Sequence, residues 1–236
     1  MALSPDANTL KKVRVWDVPV RLFHWCLVLT IIGLYITAKL GGNYMNWHVK
    51  LGYTALGLIS FRLIWGVIGS RFARFATFIR PPDSVWRYLR GLIGRRGVPE
   101  QHFLGHNPMG ALSVIALLGS ALFQAISGLF ANDDIAIEGP YFALISKELS
   151  DKITGWHKLN SDLLLLLIGL HLIAIASYFY FKKDNLIRPM FTGDKLDMHA
   201  EDAPTAVEKA RPIWLGWLVA IVVAGGTYAV VVRTFY

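Results

Sequence analysis

Five long runs of apolar residues constrain the fold of this chain more than any other feature of its sequence. A helix needs about 17–25 apolar residues to cross the hydrocarbon core of a bilayer. A segment in lipid must satisfy its own backbone hydrogen bonds, so runs of this length form helices. The runs are 22–38, 51–69, 109–131, 163–181 and 213–232. The sequence therefore predicts an all-α integral membrane protein with five spans.

The distribution of positive charge predicts how these spans are oriented. The net charge is +8, and most of the 24 Lys and Arg residues lie before the first run, between the second and third, or between the fourth and fifth. With five spans these segments share one side, and cytoplasmic loops of membrane proteins are rich in Lys and Arg. We therefore expect a multi-pass protein of the bacterial inner membrane, with a cytoplasmic N-terminus, a periplasmic C-terminus and no nucleic-acid partner.

The segment between the second and third runs is predicted to contain structure of its own. Apolar residues alternate with arginines after Pro81–Pro82, which favours a short amphipathic helix on the inner leaflet. Asn107 and Pro108 are typical of a helix cap followed by proline in the first turn. The only cysteine, Cys26, lies inside the first run, and we expect it to be a small buried side chain.

The histidines in the apolar runs are arranged as two sites at different depths. His157 and His171 are 14 residues apart, close to four helical turns, so they share a face about 21 Å apart along the axis. In the predicted topology, His48 and His157 lie near the outer surface, whereas His24 and His171 lie near the inner one. Depth therefore pairs His48 with His157, and His24 with His171.

Two facing imidazoles suit a flat iron porphyrin, and the core of a helix bundle is a usual place for such a cofactor. Two axial histidines fill both open positions on iron, which favours electron transfer over oxygen binding. The chain has no Cys-x-x-Cys-His motif, so haem would be held without a covalent link. The alternative for any single histidine is an interfacial polar group. The four together predict two bis-histidine b haems.

Two further residues are candidates for contacts with the inner cofactor. Arg62 lies 14 residues after His48 and reaches the depth of His24 and His171. A guanidinium there matches a haem propionate, and the equally weighted alternative is that it snorkels to the interface. His106, just before the third run, is a candidate contact for a propionate or a quinone headgroup, with a simple cap-region polar group as the alternative. No catalytic residue is predicted.

Several short motifs of the chain resemble one known family. The motifs are residues 15–25 (VWDVPVRLFHW), Trp47-His48 with Gly52-Tyr53, residues 61–65 (FRLIW), residues 105–110 (GHNPMG), and Trp156-His157 with His171. On these residues the chain resembles the bacterial cytochrome b561 family, which includes the b-type cytochrome subunits of nickel-iron hydrogenases. The resemblance covers roughly residues 13–195.

The resemblance implies a four-helix transmembrane bundle that holds two b haems, with ligand positions that match His24, His48, His157 and His171. It also implies electron transfer between quinone, as a mobile substrate, and a periplasmic redox protein, either a c-type cytochrome or a dehydrogenase or hydrogenase subunit. The chain departs from the pattern of this family in having a fifth predicted span. We therefore divide the chain into a cytochrome domain, 1–195, and a cytoplasmic linker with a fifth transmembrane helix, 196–236. Gly225-Gly226 would permit close helix contact, so a homodimer stays open.

Two other functions remain as alternatives to an electron-transfer subunit. One is a stand-alone oxidoreductase that acts on quinone and a small oxidant such as superoxide, as the resemblance allows. The other is a transporter or channel with interfacial histidines. Transporters carry polar groups or broken helices near the midplane, and the first, third, fourth and fifth runs show neither. A reducible haem spectrum would separate a cytochrome from a transporter.

Overall fold

The fold is known from a computed structural model that describes residues 12–93, 103–135, 137–196 and 212–235. Its helices are α1 (Val18–Leu40), α2 (Met45–Ile68), α3 (Phe75–Phe78), α4 (Pro82–Ile93), α5 (Pro108–Gly128), α6 (Lys147–Phe181), α7 (Ile187–Thr192) and α8 (Ile213–Phe235). Among the described residues, α1, α2, α5 and α6 are long and apolar enough to cross a membrane. The first four predicted spans are confirmed as helices. The fifth forms α8, and its crossing of the membrane stays a prediction.

Side-chain caps fix where the long helices begin. Asp17 accepts a hydrogen bond from the Val20 backbone N–H (2.8 Å) at the start of α1, and Asn107 accepts one from Gly110 (2.7 Å) at the start of α5. The predicted Asn107–Pro108 start is thus confirmed. Helix α6 has 35 residues and begins at a Ser146 cap, far ahead of the apolar run 163–181. The run marks only the most apolar part of a longer helix.

The long helices pack as two pairs. Helix α1 packs along α2, α5 packs along α6, and α2 also contacts α5 and so joins the pairs. Helix α8 lies against α2 and α1. Within the described residues, α1 and α6 share no such extensive contact.

The outward faces of the helices are apolar. Leu29 on α1 is 69% exposed, and Leu166 and Ile173 on α6 are 60% and 63% exposed. Exposed apolar area of this extent is unfavourable in water and is expected where lipid is the solvent. Cys26 is also exposed, so its predicted burial is wrong. An apolar run in a membrane helix does not reveal which face meets lipid and which meets protein.

A buried core lies at the end of the bundle where α1 begins and α2 ends, which is called the inner end after its predicted orientation. Trp65 on α2 is 1% exposed, and its Nε1–H donates to Asp17 Oδ2 (2.9 Å), the same carboxylate that caps α1. Val219 and Val223 of α8 belong to the same core. Asp17 therefore ties the start of α1 to the end of α2, and α8 is packed onto that junction.

A two-stranded sheet closes the inner end. Strand β1 (Lys12–Arg14) pairs with β2 (Asp194–Leu196) in antiparallel register, and the Gly193 carbonyl accepts hydrogen bonds from the N–H groups of Val15 (2.9 Å) and Trp16 (3.0 Å). The segment before α1 and the segment after α7 are thereby held side by side.

Replacing Gly193 by alanine should weaken this closure. Gly193 has φ 88°, and a Cβ atom would lie 2.7 Å from the Trp16 carbonyl oxygen. A side chain in this left-handed conformation, with that contact, should destabilise the protein by about 2 kcal/mol. Thermal unfolding in mild detergent measures the loss. Gly225→Ala is the matched control, because a Cβ atom there meets nothing within 4 Å. Equal stability of the two variants would contradict the prediction.

The predicted amphipathic helix is present as α4. Its Tyr88 is buried and shares a 2.9 Å hydrogen bond with the Tyr178 hydroxyl on α6, whereas Trp86 is 55% exposed. Asn107, at the start of α5, donates to the same Tyr178 hydroxyl. One tyrosine of α6 thus anchors both α4 and the start of α5.

Candidate functional site

The outer histidine pair lies close together. His48 on α2 and His157 on α6 have ring centroids 6.3 Å apart, with their planes at 77°. Metal–imidazole bonds are about 2 Å long, so two imidazoles on opposite sides of one metal ion have centroids about 6 Å apart. The separation therefore suits two axial ligands of one iron.

The His48 ring is oriented by helix α1. Its Nδ1 lies 3.0 Å from the Leu34 carbonyl oxygen and 3.4 Å from Thr37 Oγ1. A carbonyl oxygen only accepts hydrogen bonds, so Nδ1 carries the proton and donates it. The lone pair is then on Nε2, which is the arrangement found in most metal-binding histidines.

The His157 ring is oriented in the same way by helix α5. Its Nδ1 lies 3.0 Å from Ser127 Oγ, whose own hydrogen is donated to the Gln124 carbonyl oxygen (3.1 Å). With its hydrogen donated to Gln124, Ser127 Oγ accepts from His157 Nδ1–H, and the Gln124 backbone carbonyl also interacts with the His157 ring. Gly128 leaves room for the ring, because a Cβ atom there would lie 3.2 Å from His157 Cε1. Both outer imidazoles thus present Nε2.

The outer site also has open space. Gly52 follows His48 by one helical turn and so shares its face, and a Cβ atom at Gly52 would meet no atom within 4 Å. A flat macrocycle between α2 and α6 needs such space. On both counts, ligand chemistry and room, the outer site fits a bis-histidine haem.

The inner histidine pair is less tightly organised. His24 on α1 and His171 on α6 are both half-buried and interact electrostatically. The Nδ1 atom of His24 is buried and has no hydrogen-bond partner within the described residues. A buried polar nitrogen without a partner is costly, and its presence fits a site completed by a bound group.

Arg62 is a buried cation beside the inner pair. It is 4% exposed, its guanidinium lies 4.7 Å from the centroid of the Phe75 ring, and its Nη1 has no hydrogen-bond partner within the described residues. Gly66 makes room for Phe75, because a Cβ atom there would fall 2.0 Å from that ring. Asp17 interacts electrostatically with Arg62 but is hydrogen-bonded to Trp65. Burial of the guanidinium favours pairing with an anion over snorkelling.

His106 lies among aromatic rings near Arg62. Its ring centroid is 4.8 Å from that of Trp16 and 4.5 Å from that of Phe78, and its Nδ1 is buried without a hydrogen-bond partner in the described part of the chain. Burial lowers the pKa of His106 to about 3, helped by the positive charge of Arg62. The imidazole is therefore neutral at physiological pH, with one nitrogen to donate and one to accept.

Sequence reasoning missed the residues that orient the ligands. The Leu34 carbonyl is a backbone group, and Ser127 lies in a run chosen for its lack of charge. Phe75, whose ring lies against the Arg62 guanidinium, is in a connecting segment rich in arginine and was not predicted as part of the site. Within the described residues, no three His, Cys, Asp or Glu side chains converge on a common metal site, whereas the rings of His48 and His157 lie together as a pair.

Comparisons with known proteins identify the family of the chain. The sequence profile of the family named prokaryotic cytochrome b561 matches residues 15–193, the part of the chain that lies between the two strands of the closing sheet.

Three relatives illustrate the likeness. The chain is 24% identical over 222 residues to a probable Ni/Fe-hydrogenase B-type cytochrome subunit of Azotobacter chroococcum, covering 81% of this chain and 91% of that protein. The subunit of the same name from Azotobacter vinelandii is 25% identical over 224 residues, with the same coverage. The probable Ni/Fe-hydrogenase 1 B-type cytochrome subunit of Escherichia coli K12 is 24% identical over 210 residues, covering 76% of this chain and 88% of that protein. By its profile match, the chain belongs to the prokaryotic cytochrome b561 family.

Proposed function

We propose that this protein is a membrane di-haem b-type cytochrome that passes electrons between the quinone pool and a periplasmic redox partner. Membership of a b-type cytochrome family implies haem b and electron transfer. The observation that carries the di-haem proposal is the outer pair, in which His48 and His157 face each other with both Nδ1 atoms already engaged. Bound haem supplies one-electron chemistry at each site.

The chain's own residues divide into ligands and supports. His48 and His157 hold the outer haem, and His24 and His171 hold the inner one. The Leu34 carbonyl fixes the His48 ring, so that its Nε2 stays aimed at the metal position. Ligation of each haem by two histidines would leave no open position at the metal for a small molecule, which suits an electron carrier.

Arg62 and His106 form the polar edge of the inner site. Both carry buried polar atoms without partners within the described residues. Arg62 would pair with a haem propionate, since a guanidinium donates two parallel hydrogen bonds to a carboxylate. His106, kept neutral by burial, would hydrogen-bond a propionate or the headgroup of a quinone.

The proposed placement in the bacterial inner membrane follows from the positive-inside rule. The N-terminus and the segment with α4 lie in the cytoplasm, and the C-terminus lies in the periplasm after a fifth transmembrane helix, α8. Residues 1–195 form the cytochrome domain. Since the relatives are named as subunits of nickel-iron hydrogenases, a hydrogenase is the partner we propose first, with a c-type cytochrome second. A homodimer through α8 is part of the proposal.

The haem content of purified protein tests the proposal. A pyridine assay should give two b haems per chain, one for each of the two proposed histidine pairs. The reduced spectrum should show low-spin haem without reaction with carbon monoxide, since both axial positions are filled. Two haems also exclude a transporter or channel with interfacial histidines. One haem, or none, would end the di-haem proposal.

Replacing Arg62 by leucine should lower the midpoint potential of the inner haem and leave the outer one unchanged. The reduced site carries one more negative charge, which a buried cation stabilises. Loss of about 1.4 kcal/mol of this interaction equals a fall of about 60 mV for a one-electron couple. Redox-dependent spectra measure the shift, with Arg62→Lys as the charge-preserving control. An unchanged potential at full haem loading would show that Arg62 pairs with no part of the cofactor.

A further inference from the structure

A cluster of polar side chains lies between α5 and α6, inside the predicted membrane region. Ser120 Oγ donates to Asn160 Oδ1 (3.0 Å), and the Asn160 amide donates to the Ser120 carbonyl (3.0 Å) and to Gln124 Oε1 (2.7 Å). The prediction that the third run, 109–131, has no polar groups near the midplane missed Ser120 and Gln124, which lie within it, and Asn160 lies just before the fourth run. The three side chains carry no charge, so a search of the sequence for charged residues does not find them.

The cluster is continuous with the outer histidine. The backbone of Gln124 accepts the hydrogen bond from Ser127 Oγ, and Ser127 in turn accepts from His157 Nδ1. Ser127 is 5% exposed. Gln124 thus links the two parts, because its side chain accepts from Asn160 and its backbone carbonyl accepts from Ser127, which contacts His157 on the same helix as Asn160.

Helix adhesion alone does not explain the whole arrangement. Small polar residues often hold membrane helices together, and this accounts for Ser120 and Asn160. It does not account for Ser127 and Gly128. Ser127 accepts a hydrogen bond from the His157 ring, and Gly128 leaves room for that ring because it has no side chain. These two residues determine where the imidazole points.

We propose that Ser127 is a positioning residue of the outer haem site, and that Asn160, bonded to the Gln124 side chain, keeps the Ser127 region of α5 in register with α6. The proposal rests on the proposed function, in that His157 is taken as an axial ligand. Ser127 accepts the Nδ1–H hydrogen bond, selects the tautomer with the lone pair on Nε2, and raises the basicity of the imidazole.

The inner site provides an internal contrast. His171 lies on the same helix as His157 but has no hydrogen bond to its ring within the described residues, and His24 Nδ1 likewise has no partner there. Both outer imidazoles have an acceptor at Nδ1. The outer haem should therefore be the more tightly held of the two.

The test compares Ser127→Ala with Ser127→Thr in the full-length protein, purified with both haems. Loss of an orienting hydrogen bond to a metal ligand typically weakens metal binding about 10–100-fold. Because the Gln124 carbonyl remains as a second acceptor, we expect about 10-fold faster transfer of the outer haem to apomyoglobin in Ser127→Ala. The midpoint potential of the outer haem should rise, since a less basic ligand stabilises the oxidised iron less. The inner haem should not change.

Ser127→Thr keeps the hydroxyl, so its rate of outer-haem transfer and its outer-haem potential should equal those of the unaltered protein. Asn160→Leu should shift both quantities in the same direction as Ser127→Ala. If Ser127→Ala does not accumulate in membranes, Ser127→Cys carries the same comparison with a weaker acceptor. Unchanged haem transfer and potential in the Ser127 variant, in a protein whose His157→Ala variant loses one haem, would overturn this proposal and leave the proposed function standing. Retention of both haems by His157→Ala would instead overturn the ligand assignment itself.

Discussion

Replacing His157 by alanine is expected to remove one of the two haems, and replacing His48 should remove that same haem. The two rings lie 6.3 Å apart between centroids, so each supplies one of the two bonds that hold one iron. Loss of either bond leaves a site with a single ligand on a half-buried helix face. The haem-to-protein ratio should fall from two to one, and the remaining haem should keep its potential.

The complementary variants make the pairing testable. His24→Ala and His171→Ala should both lose the other haem, and His199→Ala, outside the proposed ligand set, is the control that should keep two. The remaining haem in each variant is identified by its midpoint potential. If the His24 and His157 variants lost the same haem, the pairing by depth would be wrong.

Quinol is expected to lose its access to the remaining haem when His171 is replaced by alanine. In the proposed route, quinone reacts beside the inner site, where Arg62 and His106 each carry a polar atom that has no hydrogen-bond partner within the described residues. The periplasmic partner reacts at the outer site, under the loop after α5. Without the inner haem, an electron from quinol has no short path outward, so reduction of the outer haem should slow by orders of magnitude.

Stopped-flow mixing with a short-chain quinol measures this effect. A soluble reducing dye should still reduce the outer haem of the His171→Ala protein at the normal rate, which shows that this site is intact. The His157→Ala protein should be reduced rapidly by quinol at its inner haem. Fast reduction of the His171→Ala protein by quinol would place the quinone site on the outer side and contradict the route.

The helices and their order were predictable because lipid imposes a simple rule on sequence. An apolar run of sufficient length must be helical, and α1, α2, α5 and α6 follow that rule. The same rule does not predict where a helix begins or ends, or which of its faces is buried. Helix α6 begins well before its apolar run because Ser146 caps a more polar first part, and Cys26 is exposed although its neighbours in sequence are equally apolar.

The candidate ligands were predictable in position but not in their surroundings. Helical spacing places His157 and His171 on one face, and topology places His24 and His48 opposite them. The groups that accept a hydrogen bond from Nδ1 of each ring could not be predicted in this way. One is the Leu34 carbonyl, which any residue type would supply, so no sequence pattern marks it. The space for Phe75 over Arg62 depends on Gly66, a pairing between distant segments that only the folded chain reveals.

The uninterrupted course of α6 has a consequence for how the protein responds to its bilayer. His157 and His171 are carried by one helix of 35 residues, so their separation is set by backbone hydrogen bonds within that helix and not by contacts between subunits or helices. A thinner or thicker bilayer changes the tilt of a helix at small cost but does not change its rise per residue. The rate of electron exchange between the two proposed haems should therefore be the same in short-chain and long-chain lipids.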